Sequence, residues 1–243
     1  RELYQLAGQA GLLGIDHPEE LGGSGPDIFM KIAATEEIMR AGSGGLAASL
    51  GSLDIGLPPI ENWASQALKE RIAPEVLRGE KIIALAITEP SGGSDVASIK
   101  TRAVSEGDYY RVNGSKTFIT SGHRADYYTV AVRTGGPGAA GVSLLAVERD
   151  TPGFTRTELK KMGWWASDTA TLHFDDCRVR ADNLIGEEGA GFFERPGFGG
   201  HGLVGHSHPN KTTEARFSAS PRRVQSKLRT QHLRIKAKNN LHC

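Results

Sequence analysis

The sequence predicts an α+β protein: an N-terminal α-helical domain over residues 1–81, a compact β domain over 82–192, and a basic stretch, 193–243, that belongs to neither. Three observations lead there. Apolar residues follow a helical period through the first 81 positions. From Ile82 onward the pattern becomes short β-branched or aromatic runs between Gly, Pro, Asn and Asp turns. Charge then splits the chain: residues 193–243 hold ten lysines and arginines against two acids, Glu194 and Glu214, while the whole chain has 29 basic and 28 acidic residues, so the rest is acidic on balance.

Leu3, Leu6, Ala7 and Ala10 open a helix that Gly11 ends. Pro18–Gly23 reads as a loop. Asp27 caps a helix running to Ala41, with Ile28, Ile32, Thr35, Ile38 and Met39 on one stripe and Glu36 and Glu37 outside. Gly42-Ser43-Gly44-Gly45 matches no phosphate-binding fingerprint and reads as a helix break. Leu46–Gly56, small and apolar, suits a helix packed closely against neighbours or a ligand. Pro58-Pro59 opens the next element, and Ser65–Val76 is a helix closed by Gly79. The expected strands are Ile82–Thr88, Thr101–Glu106, Tyr109–Asn113, Ser115–Thr120, Tyr127–Arg133, Gly141–Glu148, Phe154–Leu159 and Thr169–Arg178, with Asn113-Gly114 as a hairpin signal.

At 243 residues, 38% hydrophobic and 23% charged, the chain can bury a sizeable core. No run approaches the roughly 20 apolar residues of a membrane helix. Arg1-Glu2-Leu3-Tyr4 starts mid-helix without Met or a signal pattern, so residues of the natural product are expected to precede it. Two distant cysteines, Cys177 and Cys243, point to free thiols in a reducing compartment: the cytoplasm, or the mitochondrial matrix in a eukaryote.

Ala84–Asp95 (ALAITEPSGGSD) carries the most chemical information. A buried strand ends in a hydroxyl, a rigid turn and a glycine-rich polar loop, which can offer backbone N–H groups and short donors to one flat, anionic ligand. Lys116–Gly122 (KTFITSG) repeats the design. Other segments read as structural. Asp95 caps a short helix, Ser167-Asp168-Thr169 holds structure, and Trp164-Trp165 pack. His206, His208 and Cys243 fit no standard zinc spacing, so no metal site is expected. The basic stretch has one aromatic after Phe198 and no recognisable nucleic-acid-binding fold, so no nucleic-acid partner is expected.

Together with VERDTPG (147–153), LKKMGWWASDTATLHFDDCRVRADNLIGEEGAGF (159–192) and AGLLGIDHPEELGG (10–23), these two segments resemble the acyl-CoA dehydrogenase family, closest to its long-chain-like members, over residues 1–192. The resemblance implies an N-terminal helical domain, a middle β domain and a C-terminal four-helix bundle. It implies non-covalent FAD, an acyl-CoA substrate oxidised between Cα and Cβ with hydride passing to flavin N5, an electron-transfer flavoprotein as acceptor, and a homo-oligomer. Leu85, Ile87, Thr88, Gly93 and Ser94 would line the flavin, with the Thr88 hydroxyl donating near N5. Ser94 would meet the pyrophosphate and lie beside the substrate thioester arm. Phe118, Ile119 and Thr120 would cover the other side of the ring, Phe118 standing where relatives often carry Trp.

The likeness stops at Phe192. Phe193–Gly202 contains Pro196 and a run of glycines that cannot sustain the first helix of the bundle. The catalytic glutamate expected near Gly202 has no counterpart, so 193–243 reads as a disordered, non-family tail such as an out-of-frame translation. The chain is therefore expected to be a dehydrogenase by family that lacks its bundle and base. The alternatives are a non-catalytic flavin or acyl-CoA binding fragment, or an acyl-CoA oxidase or flavin monooxygenase of the same superfamily.

Overall fold

The computed structural model describes residues 1–191. The readings of 193–243 as a disordered tail, of an absent bundle, and of a base position at Gly202 lie outside the described residues. Six helices come first: α1 (Glu2–Gln9), α2 (Ile28–Met39), α3 (Gly44–Leu50), α4 (Leu53–Gly56), α5 (Pro58–Trp63) and α6 (Gln66–Leu77). Local chemistry sets their starts. Side chains of Asp27, Ser43 and Ser65 accept from the backbone N–H of Met30, Leu46 and Leu68. Pro58 begins α5, where its missing N–H costs nothing. Gly11 and Gly79 take left-handed backbone just beyond α1 and α6. No helix among the described residues is long and apolar enough to cross a membrane.

Eight strands follow: β1 (Ile83–Ala86), β2 (Arg102–Ser105), β3 (Tyr109–Thr120), β4 (Tyr127–Arg133), β5 (Val142–Glu148), β6 (Phe154–Glu158), β7 (Thr169–Arg180) and β8 (Leu184–Ile185). They form one sheet in the order β6-β7-β3-β2-β4-β5-β8, with β1 also paired to β4. Both β1 and β2 run parallel to β4. β1 is paired along Tyr127–Val130, and β2 touches at Arg102 opposite Arg133. The chain leaves this flank of β4 at Ala86, makes an excursion over residues 87–101, and returns to the same flank.

The helices close on the sheet through small residues and polar bridges. A Cβ on Gly56 would fall 3.2 Å from the Ala84 carbonyl carbon, so α4 lies almost on β1. Thr129 donates to the Gly56 carbonyl at 2.7 Å, and Ser121 donates to Ser52 at 3.1 Å. Arg1 pairs with Asp126, and the Tyr4 hydroxyl donates to the Ser49 carbonyl. One continuous apolar core runs from Tyr4 in α1 through Ile72 and Val76 in α6 to Ile185 in β8.

Four details differ from the sequence-based expectations. Asn113-Gly114 is not a hairpin turn: β3 runs unbroken through it with a shift in its register against β7. A Cβ on Gly114 would lie 2.7 Å from Thr101 Cα, and Asn113 exchanges hydrogen bonds with Asp176 across the strands. The pair therefore marks a bulge with a close backbone approach. Leu46–Gly56 breaks into α3 and α4 at Gly51-Ser52, where Ser52 is drawn into bonds with Tyr4, Ser49 and Ser121. The stripe expected on α2 is split, with Ile38 half-buried and lining a cavity with Thr35. Met30 and Ala34 are buried beside Ile15, while Ile28, Ile32 and Met39 are exposed. Lys31 on this helix pairs with Asp54 of α4, and Asp27 caps its start. Trp164 and Trp165 are exposed, not core residues, although the Trp164 indole lies against Gly44 of α3.

Among the helices, buried His17 bridges two acids, its Nδ1 2.8 Å from Glu61 and its Nε2 3.4 Å from Asp54. Burial on its own lowers the imidazole pKa, but the bonds and charges of Asp54 and Glu61 outweigh it and raise the group to about 9. A raised cationic group contributes stability that is fully present below its ordinary value of 6.5 and is lost as pH rises through about 9. The urea midpoint should fall across that window, and an imidazole NMR titration should report the raised value. His17→Gln should remove the slope.

Candidate functional site

The excursion 87–101 and the end of β3 meet at one place. β1 runs out at Ala86. Leu85, Ile87 and Thr88 are half-buried, and Glu89 turns inward. Glu89 and Gly92 exchange two backbone hydrogen bonds of 3.0 Å each, so Pro90-Ser91 is the tip of a tight turn. Gly93 follows, its hypothetical Cβ 3.0 Å from the Thr88 methyl, so the loop folds back on the Thr88 side chain. Ser94 and Asp95 are exposed ahead of a 3-10 turn, Val96–Ser98. Asp95 stands at its cap position without a side-chain cap bond, contrary to the expectation of an Asp cap.

β3 arrives from the other side. Between Lys116 and Ile119 its register against β7 slips, and at this irregularity the Thr117 N–H donates to the Thr88 carbonyl at 2.8 Å. Phe118 is forced to φ +58° and is 71% exposed. That is a costly conformation for a bulky residue and a costly exposure for an aromatic ring. Ile119 turns into the core at 3% exposure, so its side chain faces the sheet interior, and Thr120 is half-buried. No hydrogen bond from another described residue reaches the Thr88 or Ser94 hydroxyl.

Beneath this surface lies a buried ion pair. Lys116 Nζ is 2.9 Å from Glu89 Oε1, with side-chain exposures of 0% and 4%. The ammonium also donates to the Ile87 carbonyl at 2.9 Å. Glu89 further accepts the backbone N–H groups of Lys100 at 2.7 Å and Thr101 at 2.8 Å. Burial on its own raises the Glu89 carboxyl, but its donors outweigh this and hold it at about 2. Burial pushes the Lys116 ammonium down to about 8, against the pull of Glu89. Both residues lie inside the two motifs, yet the sequence reading gave neither a role. A lysine between the inward-facing Val112 and Ile119 of a strand is itself the signal, because a charge on a buried face needs a partner.

Asp168 anchors the neighbouring corner, where the 121–125 turn meets the helices. It accepts from the backbone N–H groups of His123 and Arg124 and pairs with the Arg124 guanidinium, which also reaches Ser49. Ser167-Asp168-Thr169 therefore joins parts of the fold. Cys177 is a buried free thiol that burial pushes up to about 12.

The site is thus a strand-end loop and a bulged strand that together present a hydroxyl bonded by no other described residue, a glycine turn and an outward aromatic ring. The "Acyl-CoA dehydrogenase, N-terminal domain" model matches residues 1–80, and the "Acyl-CoA dehydrogenase, middle domain" model matches residues 84–177. The chain belongs to the acyl-CoA dehydrogenase family. An acyl-CoA dehydrogenase of Bacillus subtilis is 39% identical over 198 residues, which is 79% of this chain and 51% of that protein. A probable acyl-CoA dehydrogenase structure from Mycobacterium abscessus is 53% identical with a TM-score of 0.76, over 78% of this chain and 51% of that one. A Bacillus anthracis acyl-CoA dehydrogenase complexed with FAD is 39% identical with a TM-score of 0.73, over 78% of this chain and 33% of that one. The chain spans about half the length of the curated relatives it matches.

Glu89 is a depressed acid, so its contribution to stability is present above its ordinary value of 4.5 and is lost as pH falls toward about 2. Urea unfolding between pH 5 and pH 2 should show this loss, and Glu89→Gln should flatten the slope.

Proposed function

We propose that the described residues form the flavin-holding part of an FAD-dependent acyl-CoA dehydrogenase. The observation that carries this reading is the meeting of residues 85–94 with residues 116–120, sealed by the Thr117 N–H to Thr88 carbonyl bond beside the outward Phe118 ring. A flat heteroaromatic cofactor suits this surface. Phe118 offers a face, the Thr88 hydroxyl a donor, and the Gly93–Ser94 turn a close backbone approach. Leu85, Ile87, Thr88, Gly93 and Ser94 would hold one side of the cofactor, and Phe118, Thr120 and the backbone of Ile119 the other. Ser94 would also touch the thioester arm of an acyl-CoA.

When bound, FAD supplies the two-electron oxidation of the Cα–Cβ bond. This chain's residues orient the ring, exclude water from its Phe118 side and hold a hydroxyl donor at Thr88. An electron-transfer flavoprotein as acceptor, a homo-oligomeric state and a cytoplasmic or mitochondrial-matrix location extend the same reading. The sequence also favours a second reading, binding without turnover. Residues 193–243 hold only the acids Glu194 and Glu214, so the sequence has no Asp or Glu within several positions of Gly202, where the resemblance expects the base that takes the Cα proton.

Titration with FAD, followed by flavin fluorescence and absorbance, tests the proposal, with saturable uptake expected and no uptake contradicting it. Thr88→Val, which removes one hydroxyl donor, should weaken binding by about 0.5–1.5 kcal/mol, roughly two- to twelvefold. With acyl-CoA and an artificial electron acceptor the loaded chain should show no dehydrogenation. Measurable turnover would contradict the missing base.

A further inference from the structure

We propose that Glu89 and Lys116 are positioning residues for the ligand loop: the Glu89 carboxylate closes the base of residues 88–101, and Lys116 fastens that closed loop to β3. This rests on the flavin reading for its ligand, but the clamp itself is a property of the chain.

The loop needs such a device. It leaves the flank of β4 at Ala86 and rejoins it at Arg102, so strand pairing fixes its two ends but not the residues between. Its tip is exposed from Pro90 to Gly92, as are Ser94 and Asp95. Arg133 holds the far limb through the Ala97 and Ile99 carbonyls. Glu89 joins the near limb, which carries Ile87 and Thr88, to the returning limb. One carboxylate takes the N–H groups of Lys100 and Thr101, at the end of the loop, while belonging to its start.

Lys116 then takes the Ile87 carbonyl and a Glu89 oxygen together. Next to it in sequence, Thr117 bonds to Thr88 and Phe118 points outward. The hydroxyl at Thr88 and the ring at Phe118 are therefore held relative to each other by one buried pair. A charge at either position without its partner would be stranded in the core, so the pair admits one arrangement of the two segments.

Amide hydrogen exchange on the full chain, combined with FAD titration, tests the clamp. Lys100 is exposed and outside every strand, and its N–H bonds to Glu89. Its amide should exchange at least about tenfold more slowly than that of Ser94 in the wild-type chain. In Glu89→Gln it should approach the Ser94 rate while Val130 in β4 keeps its protection. FAD affinity should fall by about tenfold or more, the size of the loss when a group that orients a metal ligand is removed. A Lys100 amide as fast as Ser94 in the wild type overturns the proposal, and this measurement needs no variant to fold. A Glu89→Gln chain that folds and binds FAD like wild type also overturns it. If the wild type takes up no FAD, yet Lys100 is protected and Glu89→Gln releases it, the clamp stands and the flavin reading falls.

Discussion

The site depends on a charge pair placed where charge is least welcome. Lys116 and Glu89 lie in the interior where β1, β3 and the start of β2 converge, and neither can be there alone. A buried pair of this kind contributes little net stability, since desolvating both ions costs about as much as their attraction returns. What it provides is uniqueness. Three donors converge on Glu89, and two acceptors meet the Lys116 ammonium. The two site segments can then come together in only one way. The strained Phe118 backbone and the Thr117–Thr88 bond lie at that convergence.

The helical half contributes by proximity. Gly56 lets α4 approach the backbone of Ala84, just ahead of the site, and Ser52 reaches Ser121 just beyond it. The corner at Arg124 and Asp168 ties the turn after β3 to α3. The strand-end loop is thus braced from behind by helices and from the side by β3, while its Pro90–Gly92 tip and Phe118 stay exposed.

Much of this was legible in the sequence wherever a local rule applied. The Asp27 cap, the Pro58 start and the helix ends at Gly11 and Gly79 each act through their own neighbours, whereas Ser43, read as part of a helix break, and Ser65, read as part of a helix, prove to be caps. The two site segments were legible as motifs. Tertiary contacts decided the rest. Asn113-Gly114 has turn chemistry, but Thr101 and Asp176 convert it into a bulge within β3. The apolar stripe of α2 has helical spacing, but the face buried beside Ile15 is that of Met30 and Ala34. Glu89 read as part of a turn and Lys116 as a strand charge. Their partnership spans 27 positions and appears only when β3 is laid beside the loop.

A double-mutant cycle across Glu89 and Lys116, read as unfolding free energy, tests the central claim most directly. Glu89→Gln and Lys116→Met should each cost about 3–5 kcal/mol by stranding a buried partner. The double variant should cost less than the two together, leaving a coupling of about 0.5–3 kcal/mol. Single effects that simply add would contradict the account, because the two side chains would then be neighbours that do not hold each other in place.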